Sequence, residues 1–98
     1  MAIINVTRWT GKLAEGMPIA REAATNVKQH SRVSVRMGNC YGGPHVGQAY
    51  TANTFTDWAS VGRAQQALAA DGNFQSLYAK ALKVVELQER SLLVTENL

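Results

Sequence analysis

The stretch Arg32–Phe55, RVSVRMGNCYGGPHVGQAYTANTF, carries two alternating segments on either side of a glycine-proline turn. In the first, Arg32 to Tyr41, the residues Val33, Val35 and Met37 share one face while Ser34, Arg36 and Gly38 share the other. Tyr41-Gly42-Gly43-Pro44 supplies the turn, because paired glycines accept positive φ and proline stops a strand ladder. His45 to Phe55 resumes the alternation, with Val46, Gln48 and Tyr50 on one side and Gly47, Ala49 and Thr51 on the other. Two strands joined this way read as a hairpin.

Outward from the hairpin, the same plan occurs twice. Upstream, Ala2 to Trp9 reads as a strand whose two sides are both apolar, Lys12 to Met17 as a connector and Pro18 to Gln29 as a helix. Pro18 suits a first helical turn, and Ile19, Ala20, Ala23, Ala24 and Val27 form the inward stripe. Downstream, Thr56 reads as the cap of a helix over Asp57 to Ala70, with Trp58, Val61, Gln65 and Leu68 turned inward. Asp71-Gly72-Asn73 breaks that helix, and Phe74, Leu77, Tyr78, Ala81 and Leu82 recur at helical spacing in a shorter piece. The last strand, Glu86 to Thr95, alternates Leu87, Glu89, Ser91 and Leu93 with Gln88, Arg90, Leu92 and Val94. The order βαββαβ predicts one α+β domain over residues 1–98: a four-stranded antiparallel sheet with helices on one face, the split-βαβ or ferredoxin-like arrangement.

Bulk composition narrows the classes of function. At 98 residues and 46% hydrophobic content, one domain can bury a modest core without staples. Cys40 is the lone cysteine, so an intrachain disulfide or a cysteine metal cluster is excluded, and a cytoplasmic address fits best. No stretch approaches a membrane-spanning length and no leader pattern opens the chain, which predicts a soluble protein without a membrane partner. Ten basic and seven acidic residues are interspersed, and no tight basic run with aromatics appears. A stripe of Arg32, Arg36 and Arg90 would be the one route to nucleic acid, and a solvated face is the commoner explanation of such charges. No nucleic-acid partner is expected.

Gly43-Pro44-His45-Val46-Gly47-Gln48-Ala49-Tyr50 after the glycine turn, Phe55-Thr56-Asp57-Trp58 opening a helix, and Gln66-Ala67-Leu68-Ala69-Ala70-Asp71 closing it, with Phe74 next, together resemble the dimeric α+β barrel superfamily of small ferredoxin-like proteins, and most of all its NIPSNAP-like branch. EthD-type proteins and cofactor-independent antibiotic-biosynthesis monooxygenases share that layout. The resemblance covers nearly the whole chain and implies a homodimer in which two sheets face one another. Such pairing would explain why both sides of the strands are apolar.

Candidate residues for chemistry are few. His45 follows the glycine turn at a strand entry and imidazole is the side chain best suited to moving protons near neutrality, so it is the best catalytic candidate beside Tyr50; a hairpin-end histidine is the ordinary alternative. A regular strand puts His45 and Tyr50 on opposite sides. His30 closes the first helix, where it would meet terminal carbonyls. Two distant histidines without carboxylates at ligand spacing predict no metal site, and the absence of a phosphate-cradling loop predicts no nucleotide cofactor. Cys40 reads as a structural thiol.

Asn5, Arg8, Trp9, Arg36, Gln48 and Tyr50 are polar or aromatic residues on strands that a cleft between sheet and helices could collect. Of these, Trp9, Gln48, Tyr50 and Arg36 are the ligand-binding candidates, and Gly47 and Ala49 would leave the room. Trp58 and Phe74 are assigned to packing. Two readings of function follow: a dimeric protein that binds a small aromatic or polyketide-like molecule, or a cofactor-independent monooxygenase or cyclase acting on such a compound, as the resemblance implies.

Overall fold

The computed structural model describes residues 1–30 and 33–96. Its elements run β1 (Ala2–Gly11), α1 (Leu13–His30), β2 (Ser34–Asn39), a 3-10 turn (Gly43–His45), β3 (Ala49–Phe55), α2 (Trp58–Ala70), α3 (Gly72–Ala81) and β4 (Val85–Thr95). The sheet order is β2-β3-β1-β4, antiparallel throughout. β1 and β2 therefore run parallel with β3 between them, the split βαβ of a ferredoxin-like sheet. The molecule measures 36 × 34 × 16 Å, thin enough for one helical layer on one sheet face.

Strand register assigns the faces. Ile3 opposes Phe55, Asn5 opposes Asn53, Thr7 opposes Thr51 and Trp9 opposes Ala49, and all eight look toward the helices. Ile4, Val6, Ala52, Thr54 and Tyr50 look the other way, because successive strand residues alternate. The core is the cluster Ile3, Val27, Val33, Phe55, Val61 and Ala64, with Val35, Leu68 and Phe74 packed against it. Ile3 is 0% exposed.

Several boundaries differ from the sequence expectation, each for a local reason. α1 begins at Leu13, so Lys12 to Met17 is mostly helix and Pro18 lies inside it. Gly11, at φ 106°, turns the chain out of β1, and the Lys12 carbonyl at once accepts from the Glu15 and Gly16 amides at 3.0 Å each. Ala14, whose carbonyl Pro18 cannot bond, is exposed, so water can take it. Gly16 is buried because a Cβ there would stand 2.5 Å from Val85 Cγ1; its lack of a side chain lets α1 rest on the start of β4.

β3 starts at Ala49, and His45 belongs to the 3-10 turn. Asp57, not Thr56, caps α2: its Oδ1 accepts from the Ser60 amide at 2.7 Å, and that bond holds the Asp57 carboxyl below its ordinary pKa. The inward residues of α2 are Val61, Ala64 and Leu68; Gln65 is exposed, and Trp58, the first residue of the helix, is 52% exposed and not packed as expected. Phe74 does pack against the core.

In β4 the register slips between Arg8, which faces Glu89, and Trp9, which faces Leu87. Gln88 is thereby the extra residue of a bulge, and Leu87 joins Arg90, Leu92 and Val94 on the helix side instead of alternating with them. Arg36, opposite Ala52, and Arg90, opposite Thr7, lie on opposite faces, which removes the basic stripe; Arg32 lies outside the described residues.

Candidate functional site: a cavity between sheet and helices

Beyond the Ile3–Phe55 pair the layers separate around a cavity of about 130 Å³. Its roof is apolar, from Ile19, Ala20, Ala23 and Ala24 on α1 and Phe74 and Leu77 on α3. Alanines bring the α1 backbone near the sheet without filling the space below. The floor is polar along its two central strands, Asn5 and Thr7 from β1 and Thr51 and Asn53 from β3, with Arg90 from β4 at one side and the apolar Val35 and Met37 of β2 at the other.

An aromatic wall closes one end. The Trp9 indole N–H donates to Thr51 Oγ1 at 3.1 Å, and its ring meets Tyr78 edge-on with centroids 6.3 Å apart. Tyr78 stacks on Phe74 at 6.1 Å. Both distances fall in the range of favourable aromatic pairs.

One carboxamide on the floor has a buried atom without a partner. Asn5 Oδ1 is buried without a hydrogen-bond partner, and neither Asn5 nor Asn53 makes a side-chain hydrogen bond among the described residues. Leaving such a group unmatched costs about 1–3 kcal/mol, so a polar floor under an apolar roof gains from a guest that hydrogen-bonds to it. Arg90 donates from Nε to Thr7 Oγ1 at 3.3 Å, and its remaining N–H groups have no acceptor among the described residues. No histidine, cysteine, aspartate or glutamate lines the cavity among those residues. The arrangement can bind a ring against its apolar roof and orient it by hydrogen bonds to the floor.

Of the residues named from sequence, Asn5 and Trp9 reach this cavity. Arg8, Gln48, Tyr50 and Arg36 lie on the open face of the sheet. There the Arg8 guanidinium donates to Gln48 Oε1 at 2.7 Å and pairs with Glu89. The Ser91 hydroxyl, then Arg8, and more weakly His45 hold the Glu89 carboxyl below its ordinary pKa. Tyr50 covers Gly38, where a Cβ would stand 2.8 Å from the ring, so its immediate role is cross-strand packing. His45 and Tyr50 are thus on the side away from the cavity, and Gly47 and Ala49 leave no room in it: Gly47 precedes β3 and Ala49 is 0% exposed. β3 contributes Thr51 and Asn53 instead. Sequence reading passed over Thr7, Thr51, Asn53, Tyr78 and Arg90, although polar residues in phase with Ile3 and Phe55 were the available signal.

A second polar cluster ties α1 to the corner between α2 and α3. Asp71 Oδ1 accepts from the Phe74 amide at 3.0 Å, while Oδ2 accepts from Asn26 Nδ2 at 3.3 Å and lies 2.6 Å from His30 Nε2. His30 therefore pairs with a carboxylate rather than with terminal carbonyls. These contacts, His30 foremost, hold the Asp71 carboxyl below its ordinary pKa. Among the described residues no three His, Cys, Asp or Glu side chains gather as metal ligands, and no helix is long and apolar enough to cross a membrane.

No protein-family model and no curated protein sequence matches the chain. Solved structures do. A NIPSNAP domain protein from Burkholderia xenovorans superposes with a TM-score of 0.76 at 21% identity, covering 98% of this chain and 95% of that one. A NIPSNAP family protein from Agrobacterium tumefaciens gives 0.74 at 16% identity over 99% and 95%. SnoaB, a cofactor-independent oxygenase from Streptomyces nogalater, gives 0.71 at 16% over the same shares. The fold is theirs. At this identity the likeness carries architecture, ferredoxin-like as the βαββαβ order predicts, and leaves activity to the site.

Proposed function

We propose that this protein is a homodimer that binds a small flat organic molecule in the cavity between sheet and helices. The observation that carries the binding reading is the buried, unpartnered Asn5 Oδ1 beneath an apolar roof, with Asn53 opposite it. A cavity near 130 Å³ is close to the engineered apolar cavity of about 150 Å³ that takes up benzene, so one ring is the size of guest it suits. Phenol and toluene titrated into isotope-labelled protein should shift the backbone amides of Thr51, Asn53 and Tyr78. Ala23→Leu, which fills the roof, should abolish those shifts while the fold persists. Unchanged spectra with every single-ring compound would overturn the reading.

The dimer reading rests on the uncovered face, where Ile4, Val6, Ala52 and Leu93 face away from the helices and Leu93 is 50% exposed. A second copy laid on that face would remove this apolar surface from water. Light scattering after gel filtration decides it, and a clean monomer at micromolar concentration would sink it. The half-buried free thiol of Cys40 fits a cytoplasmic address.

A second reading, cofactor-independent oxygenation or cyclisation of the bound molecule, takes its support from SnoaB and from a putative antibiotic biosynthesis monooxygenase of Chloroflexus aurantiacus with the same fold. Oxygen uptake by protein mixed with single-ring phenols in air, above the rate without protein, is its test.

A further inference from the structure

We propose that the cavity selects a single-ring aromatic anion bearing a phenolic hydroxyl, with the ring between the Trp9–Tyr78 wall and α1, the hydroxyl between Asn5 and Asn53, and the anionic group on Arg90. The inference rests on the reading of this cavity as a binding site. It goes further in naming which polar groups the guest must carry and where.

Three observations converge. First, Asn5 and Asn53 are directly opposed across β1 and β3 and neither has a side-chain partner among the described residues. Each carboxamide offers both N–H donors and a carbonyl acceptor. A hydroxyl placed between them donates to one and accepts from the other, which answers both. A methyl or a ring edge would leave Asn5 Oδ1 unmatched.

Second, Arg90 is a cation without an ion pair among the described residues, although the neighbouring Glu89 is paired with Arg8 on the opposite face. Strand alternation separates them: Arg90 opposes Thr7 on the helix side and Glu89 opposes Arg8 on the open face, so the guanidinium reaches the cavity while its acidic neighbour does not. Its Nε bond to Thr7 aims the fork and leaves the outer N–H groups for a planar anion, the geometry in which arginine binds carboxylates.

Third, the spacing suits one ring. Thr7, the anchor of Arg90, lies two residues along β1 from Asn5, about 7 Å at the strand rise. That is on the order of the distance between opposite substituents of a benzene ring.

Calorimetric titration at pH 7 and low salt with 4-hydroxybenzoate, 4-hydroxybenzamide and benzoate tests the assignment. Wild type should bind 4-hydroxybenzoate about tenfold more tightly than either analogue, the lower range for a charge-assisted bond at a partly exposed arginine. Arg90→Gln keeps a donor for Thr7 and removes the charge; it should erase the preference over the amide and keep that over benzoate. Asn53→Ala should do the reverse. Equal affinities for the three compounds in wild type, or a carboxylate preference that survives Arg90→Gln, would overturn the inference. Binding of toluene without binding of any of the three would overturn it while leaving the cavity a site for apolar rings. Should no ring compound bind at all, the binding reading falls with it.

Discussion

The two ends of the helix–sheet interface are built on the same pair of strands and come out differently. At one end Ile3 and Phe55 oppose each other beneath Val27, Val61 and Ala64, and the layers meet without a gap. Two residues along, the opposed pair becomes Asn5 and Asn53, the overlying helix presents alanines, and a cavity opens. The dense end has the composition of an ordinary core, where volume is filled to crystal-like density. The hollow end gives up both packing and hydrogen-bond satisfaction at the same place. A sequence that keeps polar residues on the buried phase of two central strands is trading stability for a place to hold something.

Ile3→Ala should show the largest effect, because Ile3 is fully buried at the dense end and the surrounding side chains cannot close the void. A loss of about 2–5 kcal/mol is expected in urea unfolding. A loss below 1 kcal/mol would mean the dense end is looser than its burial indicates.

Gly16→Ala tests the seal at the hollow end. Its new Cβ would meet Val85 Cγ1 at 2.5 Å, and a buried β-branched side chain has little freedom to turn away. Overpacking of about 1–3 kcal/mol should outweigh the helix-propensity gain of about 1 kcal/mol from removing a glycine. A net loss near 1 kcal/mol is the expected result; a stabilised variant would show that α1 is free to shift outward.

The contrast can be abolished by the double replacement Asn5→Leu and Asn53→Leu, which makes the floor apolar. Removing both carboxamides together, and with them the unmatched Asn5 Oδ1, should stabilise the fold by about 1 kcal/mol. For a chain of this size that is a rise in Tm of about 4–8 °C, with loss of phenol binding. A lower Tm would mean that the asparagines are satisfied in solution.

The smallest effect is on pH. Asp71 has its carboxyl pKa lowered in the fold, first by His30 and then by the Phe74 amide, so its contribution is present above the unfolded carboxylate pKa and is lost as pH falls through the lower folded value. Asp57 and Glu89 are lowered too and act in the same direction. Thermal melts between about pH 5 and 2 should fall less steeply for Asp71→Asn than for wild type. Equal slopes would remove Asp71 from the acid limb.

The architecture was readable because it depends on local patterning. Alternation over Val33–Met37 and Ala49–Phe55, a helical stripe through Ala20, Ala23 and Val27, and Gly42-Gly43-Pro44 between strands specify a βαββαβ chain, and right-handed connection rules leave few ways to fold it. Even the phase of β3 from Ala49 onward followed from the period of two. Three features depended on partners distant in sequence. The start of α1 rests on the Lys12 amide meeting the Val84 carbonyl and on Gly16 meeting Val85. The bulge at Gln88 is set by the pairing of β4 with β1, and it brings Leu87 to the same side as Arg90. The cavity exists because small residues on α1 lie over polar residues on β1 and β3, and a void belongs to no single segment. Periodicity states which way each side chain points; only the packed layers decide what it meets there, because contact depends on the distance and register between elements that no local pattern encodes.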